Sequence, residues 1–212
     1  IDGDYVGYYI DQTFNASAAH IEIDGLSVHT GTAKGKMINA SEIAAEFINL
    51  IPAFERPQYT DGVEGFYHIT SINGSCEKAT VDLIIRDFDI NQFEQREDYI
   101  RKCVDYLKDK YDSKRIRLKI NETYRSMKME TDKFPYMVES LIKAIRMAGL
   151  EPKSIPFRGG TDGSALSHRG LPCPNLSAGY ENAHGLYEFV PIQSMEKNVE
   201  ILLNLIKIFV EM

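Results

Sequence analysis

Cysteine is scarce in this 212-residue chain: there are three, Cys76, Cys103 and Cys173, with no CxxC or CxxxH spacing. An odd number so placed excludes a disulfide framework or a zinc-finger set and reads as reduced, buried thiols of a cytoplasmic protein. Positive charge is in deficit, with 24 Lys and Arg against 31 Asp and Glu and a net charge of −7. Phosphate binding needs a positive field, so this balance argues against nucleic acid or an anionic membrane as partner. Long apolar runs are missing too: none reaches the roughly 20 residues that span a bilayer, and the start carries no signal-peptide pattern. The composition left over, 43% hydrophobic and 26% charged, is that of an ordinary globular protein with length for one large or two small domains.

From Phe14 to Asn121 the residues alternate as β-α-β-β-α-β. Ala19–Ile23 has the period of a half-buried strand, which turns His20 outward as a surface histidine. Ile38-Asn39-Ala40-Ser41-Glu42-Ile43 is a helix entry, with Asn39 as cap, Glu42 reaching back and Ile38 stapling Ile43. That helix stops near Leu50, before Pro52. Gly65–Ile72 and Thr80–Arg86 are rich in β-branched and aromatic residues, as strands are, and His68 within the first reads as structural. Asp89 opens a second helix, with Phe93, Ile100, Val104, Leu107 and Tyr111 along one face. Arg115–Ile120 alternates again. The sum is an antiparallel sheet with two helices on one face, a ferredoxin-like unit.

The remainder reads as a partial α/β domain. Tyr124–Thr131 is a polar connector, and a helix opens at Asp132–Pro135 and ends at Gly149. Lys153–Phe157 and Cys173–Ala178 are short strands. Ile192–Phe209 closes the chain as a helix whose Met195, Val199, Leu202, Leu203, Ile206 and Phe209 need a sheet to pack on. Two helices and two short strands leave too few strands to cover them. With Ile1 in place of an initiator methionine, the expectation is a piece of a longer protein whose missing strands lie upstream.

Several residues have the chemistry of a site. Arg158-Gly159-Gly160-Thr161-Asp162-Gly163 is a loop opening a helix, either a plain helix entry or a place where side chain and backbone N–H groups hold an anion. His184, in Asn182-Ala183-His184-Gly185, is either solvated or a metal or acid–base group positioned by backbone. Asp2-Gly3 is either a hairpin turn or a ligand-bearing step. His29, in a loop of small residues, and Arg86, ending a strand, have the plain readings of a solvated side chain and a weak surface ion pair. His168, before Gly170, reads as inert.

Taken in order, RGGTDG, GLPCPN and HGxxEFV resemble the C-terminal part of the peptidase T (tripeptide aminopeptidase) type of two-zinc exopeptidases. The resemblance runs over essentially all 212 residues and is strongest at His29–Gly35, Gly65–His68, Ile84–Asp89 and Arg158–Val190. It implies a lid or dimerisation domain at residues 14–121, set into a catalytic domain represented by 1–13 and 122–212. It implies Asp2 and His184 as ligands of a two-zinc centre and His29 as the catalytic group that polarises the scissile carbonyl, in some relatives across a homodimer. Arg86, Arg158, Gly159, Gly160 and Thr161 would hold a small peptide substrate. Where peptidase T sequences have proline after the histidine, this chain has Thr30. No His-x-Asp or Glu-Glu pair is present, so the other zinc ligands and the general base fall to an upstream catalytic segment of the same protein. Alone, the chain is expected to bind metal weakly and not to turn over. Rival readings are a related zinc deacylase or dipeptidase, and a non-catalytic dimerisation module.

Overall fold

The computed structural model describes residues 1–212, which separate into two units: residues 15–123, and residues 1–14 together with 124–212. The first unit is built from β2 (Asn15–Asp24), α1 (Ala40–Leu50), β3 (Phe66–Gly74), β4 (Lys78–Asp87), α2 (Ile90–Tyr111) and β5 (Ile116–Tyr124), following β1 (Tyr8–Ile10) of the other unit. Its four strands lie in the order β3-β4-β2-β5, with β4 antiparallel to both β2 and β3. This is the ferredoxin-like arrangement that the element order predicts.

Period-two alternation decides which sheet face is buried. Along β4, Ala79, Val81, Leu83 and Ile85 face inward. They meet Ile43 and Phe47 of α1 and Phe93, Ile100, Val104 and Leu107 of α2 in one cluster. Full burial of side chains such as Phe47 and Phe93 contributes about 2 kcal/mol each relative to exposure. Both helices begin on the predicted caps: the Asn39 side chain accepts from Ser41 N–H, and Asp89 Oδ1 accepts from Gln92 N–H at 2.9 Å. Glu42 departs from the expected box. Its carboxylate takes the Asn39 side-chain amide at 3.2 Å in place of the cap's main-chain N–H.

Gly25 fixes how closely the α1 approach packs on the β3–β4 turn. A Cβ there would overlap the Cys76 carbonyl oxygen and lie 2.6 Å from that of Ile38. Backbone on two sides leaves nothing flexible to yield, so Gly25→Ala is expected to destabilise this unit by about 3 kcal/mol. Urea unfolding followed by circular dichroism measures it; an unchanged midpoint would contradict this packing.

The outward face of the sheet is polar. His20 Nδ1 pairs with Asp82 Oδ1 at 2.6 Å, Ser71 Oγ donates to Asp82 Oδ2 at 2.6 Å, and Arg117 bridges Glu22 and Asp24. The Asp82 hydrogen bond lifts the imidazole above its usual 6.5, with Glu22 adding to it and burial opposing. Since the folded value is the higher one, the stabilisation is complete below 6.5 and is lost as pH rises through the folded value. Asp82 is held low, first by Ser71 and then by His20, so its share is lost only in acid. The melting-temperature difference between wild type and His20→Gln is therefore expected to be largest below about pH 6 and to shrink as pH rises above the usual imidazole value.

In the second unit, β1 is the centre of a three-stranded sheet, parallel to β6 (Lys153–Ser154) and antiparallel to β7 (Asn175–Leu176). Both outer strands are shorter than the predicted 153–157 and 173–178. Bonding to the first segment nevertheless continues past both: Ile155 N–H donates to Tyr9 O, Phe157 N–H to Gln12 O and Ser177 N–H to Tyr8 O, and Phe157 bridges Thr13. The predicted connector 124–131 is also more ordered than expected. Strand β5 reaches Tyr124, and α3 (Lys128–Thr131) forms a helical turn with Met127 and Thr131 buried. Hydroxyls anchor it: Met127 N–H donates to Thr13 Oγ1, and Thr131 Oγ1 donates to Asp11 O.

Helices α4 (Pro135–Met147) and α6 (Ile192–Val210) pack together, with Leu141, Ala144, Ile145, Ile201 and Ile208 in a core shared with Tyr9 and Leu176. The buried side of α6 is not its most apolar one. Ser194, Asn198, Ile201, Asn204 and Ile208 are buried, while Met195, Val199, Leu203, Ile206 and Phe209 are exposed. Two amides orient the helix: Asn198 Nδ2 donates to Ala178 O at 2.7 Å and Asn204 Nδ2 to Ala144 O at 3.4 Å. These bonds hold the polar side inward and leave the predicted packing stripe facing outward. Between α4 and α6, α5 (Asp162–Ser167) is a helix of six residues.

Candidate metal and peptide site

Asp2 does not sit in a hairpin turn. Its N–H donates to Leu176 O at 2.8 Å, and the N–H groups of Ala178 and Gly179 donate to Gly3 O, so residues 2–3 run beside 176–179. Gly3 is a requirement of that approach: its φ is 136°, and a Cβ would lie 2.5 Å from Ser177 Oγ. Asp2 is thereby fixed at the edge of the β1–β7 pair with its side chain partly exposed.

His184 tops a loop closed by a bridge between Glu181 and Phe189. Asn182 and His184 both take positive φ, 57° and 60°, and Gly185 N–H returns to Asn182 O. Asparagine and histidine are among the residues that tolerate this region. The His184 N–H donates to Glu188 Oε2 at 2.7 Å, so the loop holds the backbone while the imidazole stays exposed.

Tyr180 connects the two. Its hydroxyl is pushed up to about 12, by burial first and then by the charges of Asp4, Asp2 and Glu188. Glu188 is also the group that takes the His184 N–H. Asp4 and Tyr180 line a cleft of about 150 Å³ together with Tyr5, Glu181, Asn182 and Ala183. Asp4, Tyr180 and Glu188 were not singled out from the sequence. Glu188 was legible there, lying four residues after the histidine in the same loop; Tyr180 had no spacing signal.

A carboxylate and an imidazole are the donor types that hold divalent zinc or its neighbours, so the residues suit a metal in kind. They fall short in number, because no three His, Cys, Asp or Glu side chains are grouped to hold an ion.

The Arg158–Gly163 loop has a different physical basis from the one its glycines suggest. Thr161 is the N-cap of α5: its Oγ1 accepts the Ser164 N–H at 3.2 Å and lies 3.4 Å from Asn175 Oδ1. The hydroxyl predicted for substrate is thus engaged in the helix start, and a helix this short has little dipole to offer an anion. The glycines answer to packing. A Cβ on Gly159 would lie 2.9 Å from the Phe157 ring, and one on Gly160 would lie 2.9 Å from the Tyr124 ring. Arg158 lies over the Phe14 ring at 5.4 Å and is half-buried.

The other two predicted residues belong to the 15–123 unit. His29 is exposed and caps a short 3-10 turn at Thr30–Thr32, its Nδ1 accepting the Gly31 N–H at 3.1 Å. Arg86 is half-buried, with its guanidinium 5.9 Å from the centre of the Phe66 ring. Asp2, His184 and the loop from Arg158 to Thr161 all belong to the second unit.

Residues 12–115 match the peptidase dimerisation domain of the M20 peptidases. Among curated relatives, Peptidase T of Geobacillus kaustophilus is 46% identical over 209 residues, covering 99% of this chain and 51% of the relative. Peptidase T of Caldanaerobacter subterraneus is 43% identical, with the same coverage. The chain thus spans about half the length of the curated relatives it matches. Among solved structures, a tripeptidase of Staphylococcus aureus superposes with a TM-score of 0.82 at 21% identity, over 99% of this chain and 56% of that one. A Bacillus subtilis protein described as a dinuclear metal-binding peptidase of the M20 family superposes with a TM-score of 0.67 at 13% identity, over 100% and 52%. At these identities the structural likenesses speak for the fold.

Proposed function

Given that the chain carries the M20 peptidase dimerisation domain and is a relative of Peptidase T over its whole length, we propose that it is the C-terminal portion of a zinc-dependent tripeptide aminopeptidase. The whole enzyme would remove the N-terminal residue of tripeptides. The observation that carries this reading is the likeness to Peptidase T over 99% of the chain, at 43% and 46% identity. Asp2 would hold one zinc and His184 the other, with the remaining ligands and the general base supplied by a segment corresponding to the other half of the relatives' length. When bound, the metal pair supplies an acidified water and an electrophile for the carbonyl.

The chain's own residues do the positioning. The fixed His184 loop and the Asp2–Leu176 backbone bond hold two donors still before any ion arrives, which lowers the cost of ordering them. Arg86 and Arg158 present planar guanidinium groups suited to a tripeptide's carboxylate, and the backbone of Gly159 and Gly160 lines the same loop. His29 would polarise the scissile carbonyl, supplied by the partner subunit of a homodimer formed through residues 14–121. The three cysteines are free thiols, in keeping with a cytoplasmic setting, and no helix is long and apolar enough to cross a membrane.

The test is release of N-terminal residues from a tripeptide panel by the full-length protein, with and without chelator. The expected result is chelator-sensitive cleavage restored by zinc. Hydrolysis of acylated amino acids with tripeptides left intact would overturn the assignment in favour of a deacylase.

A further inference from the structure

Asn73 is the only asparagine of the chain that a glycine follows. An Asn-Gly pair most often forms a two-residue hairpin turn. Here it closes β3 instead, and the turn falls on residues 75–77 before β4 begins at Lys78. Strand β3 is also the outermost of its sheet. Ser75 N–H donates to Lys78 O at 2.8 Å, which makes Ser75 and Lys78 a hydrogen-bonded pair. Such pairs alternate with non-bonded ones along an antiparallel ladder. Gly74, opposite Ala79, therefore takes a non-bonded position, with its N–H directed away from β4 at the free edge.

Packing holds glycine at this position. A Cβ there would lie 2.8 Å from Ser41 Oγ and 3.0 Å from Ala79 Cβ, and the Ser41 hydroxyl is itself fixed by donating to Ser75 O at 2.9 Å. The seating of α1 on the hairpin thus keeps, directly after Asn73, the one residue type with no side chain to shield its amide nitrogen. Asn73 faces the open side of the sheet opposite Thr80 and is exposed. The asparagines that precede alanine are tied down: Asn15 Nδ2 donates to Asp87 O and Phe88 O, Asn39 Oδ1 caps α1, and Asn182 Nδ2 donates to Tyr187 O. The Asn73 amide has no such tether.

From the untethered amide and the outward Gly74 N–H we propose that Asn73 is a site of spontaneous deamidation, converted through a cyclic imide to aspartate and isoaspartate. Gly74 gives up its N–H proton to hydroxide and its nitrogen attacks Asn73 Cγ. The Cγ–Nδ2 bond breaks, and the departing nitrogen takes a proton from water and leaves as ammonia. Water then opens the five-membered imide. Attack at Cγ gives aspartate, and attack at the main-chain carbonyl carbon gives isoaspartate, which adds a methylene to the backbone. Lys78, diagonal to Asn73 across the ladder, favours the carboxylate that forms. The pairing of Asn73 with Thr80 holds its backbone extended, so ring closure waits on fraying of the strand end, and folding slows the reaction without stopping it. The product stands directly before the turn whose Ser75 and Cys76 carbonyls take the Ser41 and Ala40 N–H groups of α1.

The test is incubation of the 212-residue chain in mildly alkaline buffer, followed by intact mass and by peptide mapping that separates aspartyl from isoaspartyl forms. A gain of one dalton in the peptide that contains Asn73, ahead of every other asparagine and faster as pH rises, is expected. In urea the same site should react on the order of tenfold faster. Asn73→Gln should remove the gain, because ring closure there needs a six-membered imide. Residue 73 is exposed, so that variant should keep the unfolding midpoint of the wild type. A folded chain still wholly intact at Asn73 when the unfolded chain has converted would overturn the proposal. So would a mass gain that begins at another asparagine, or one that persists unchanged in Asn73→Gln.

Discussion

On the proposed two-zinc reading, replacing His184 by alanine, or Asp2 by asparagine, in the full-length protein is expected to lower kcat/KM for tripeptides by about 10³-fold, since each metal ion would contribute several kcal/mol of transition-state stabilisation. The geometry separates this loss from unfolding. The His184 imidazole is exposed, and its loop is closed by backbone bonds and by Glu188, which takes the main-chain N–H rather than the ring. Alanine keeps that N–H. Asparagine at position 2 keeps the shape of aspartate and the N–H bond to Leu176 O. Both variants should therefore melt with the wild type while binding less zinc by atomic absorption. His168→Ala is the matched control: that ring bonds only the Arg125 carbonyl, at 3.0 Å, and activity should stay within about twofold. Wild-type activity in His184→Ala would remove the histidine from the centre. An unfolded variant is distinguished by its melting curve.

The pattern of what the sequence revealed follows from the range of the forces involved. Caps, alternation and helix faces act over a few residues, so Asn39, Asp89 and the alternating β4 were legible, and with them the ferredoxin-like order. The Arg158–Gly163 loop was less legible, because glycine looks the same whether it clears space for a ligand or for a ring. Here the rings of Phe157 and Tyr124 account for Gly159 and Gly160. The N-cap is Thr161, whose hydroxyl is thereby engaged in the helix start. Tyr180 could not have been found from spacing, since the burial and the charges of Asp4, Asp2 and Glu188 that push its hydroxyl up arise only in the fold.

Helix α6 is the element where sequence and structure differ most usefully, and it carries the second large expected effect. Its stripe of Met195, Val199, Leu202, Leu203, Ile206 and Phe209 was read as a packing face; Leu202 does pack against the core, while Val199 and Leu203 are 57% and 54% exposed. In the 212-residue chain Val199→Asp with Leu203→Asp should therefore change stability by no more than about 0.5 kcal/mol per site, and should reduce aggregation by breaking an exposed apolar patch. In the full-length protein the same pair should behave in the opposite way. If the other half of the relatives' length covers this stripe, two unpaired carboxylates would be buried there, at a combined cost of about 5 kcal/mol or more. Co-expression of the two halves measures it directly: the wild-type chain should capture its complement and the double variant should not, while Lys207→Asp, on the exposed end of the helix, should be neutral. Equal capture by wild type and double variant would mean that the stripe remains in water in the whole enzyme, and that the asparagine-anchored side of α6 is the only face the fold requires.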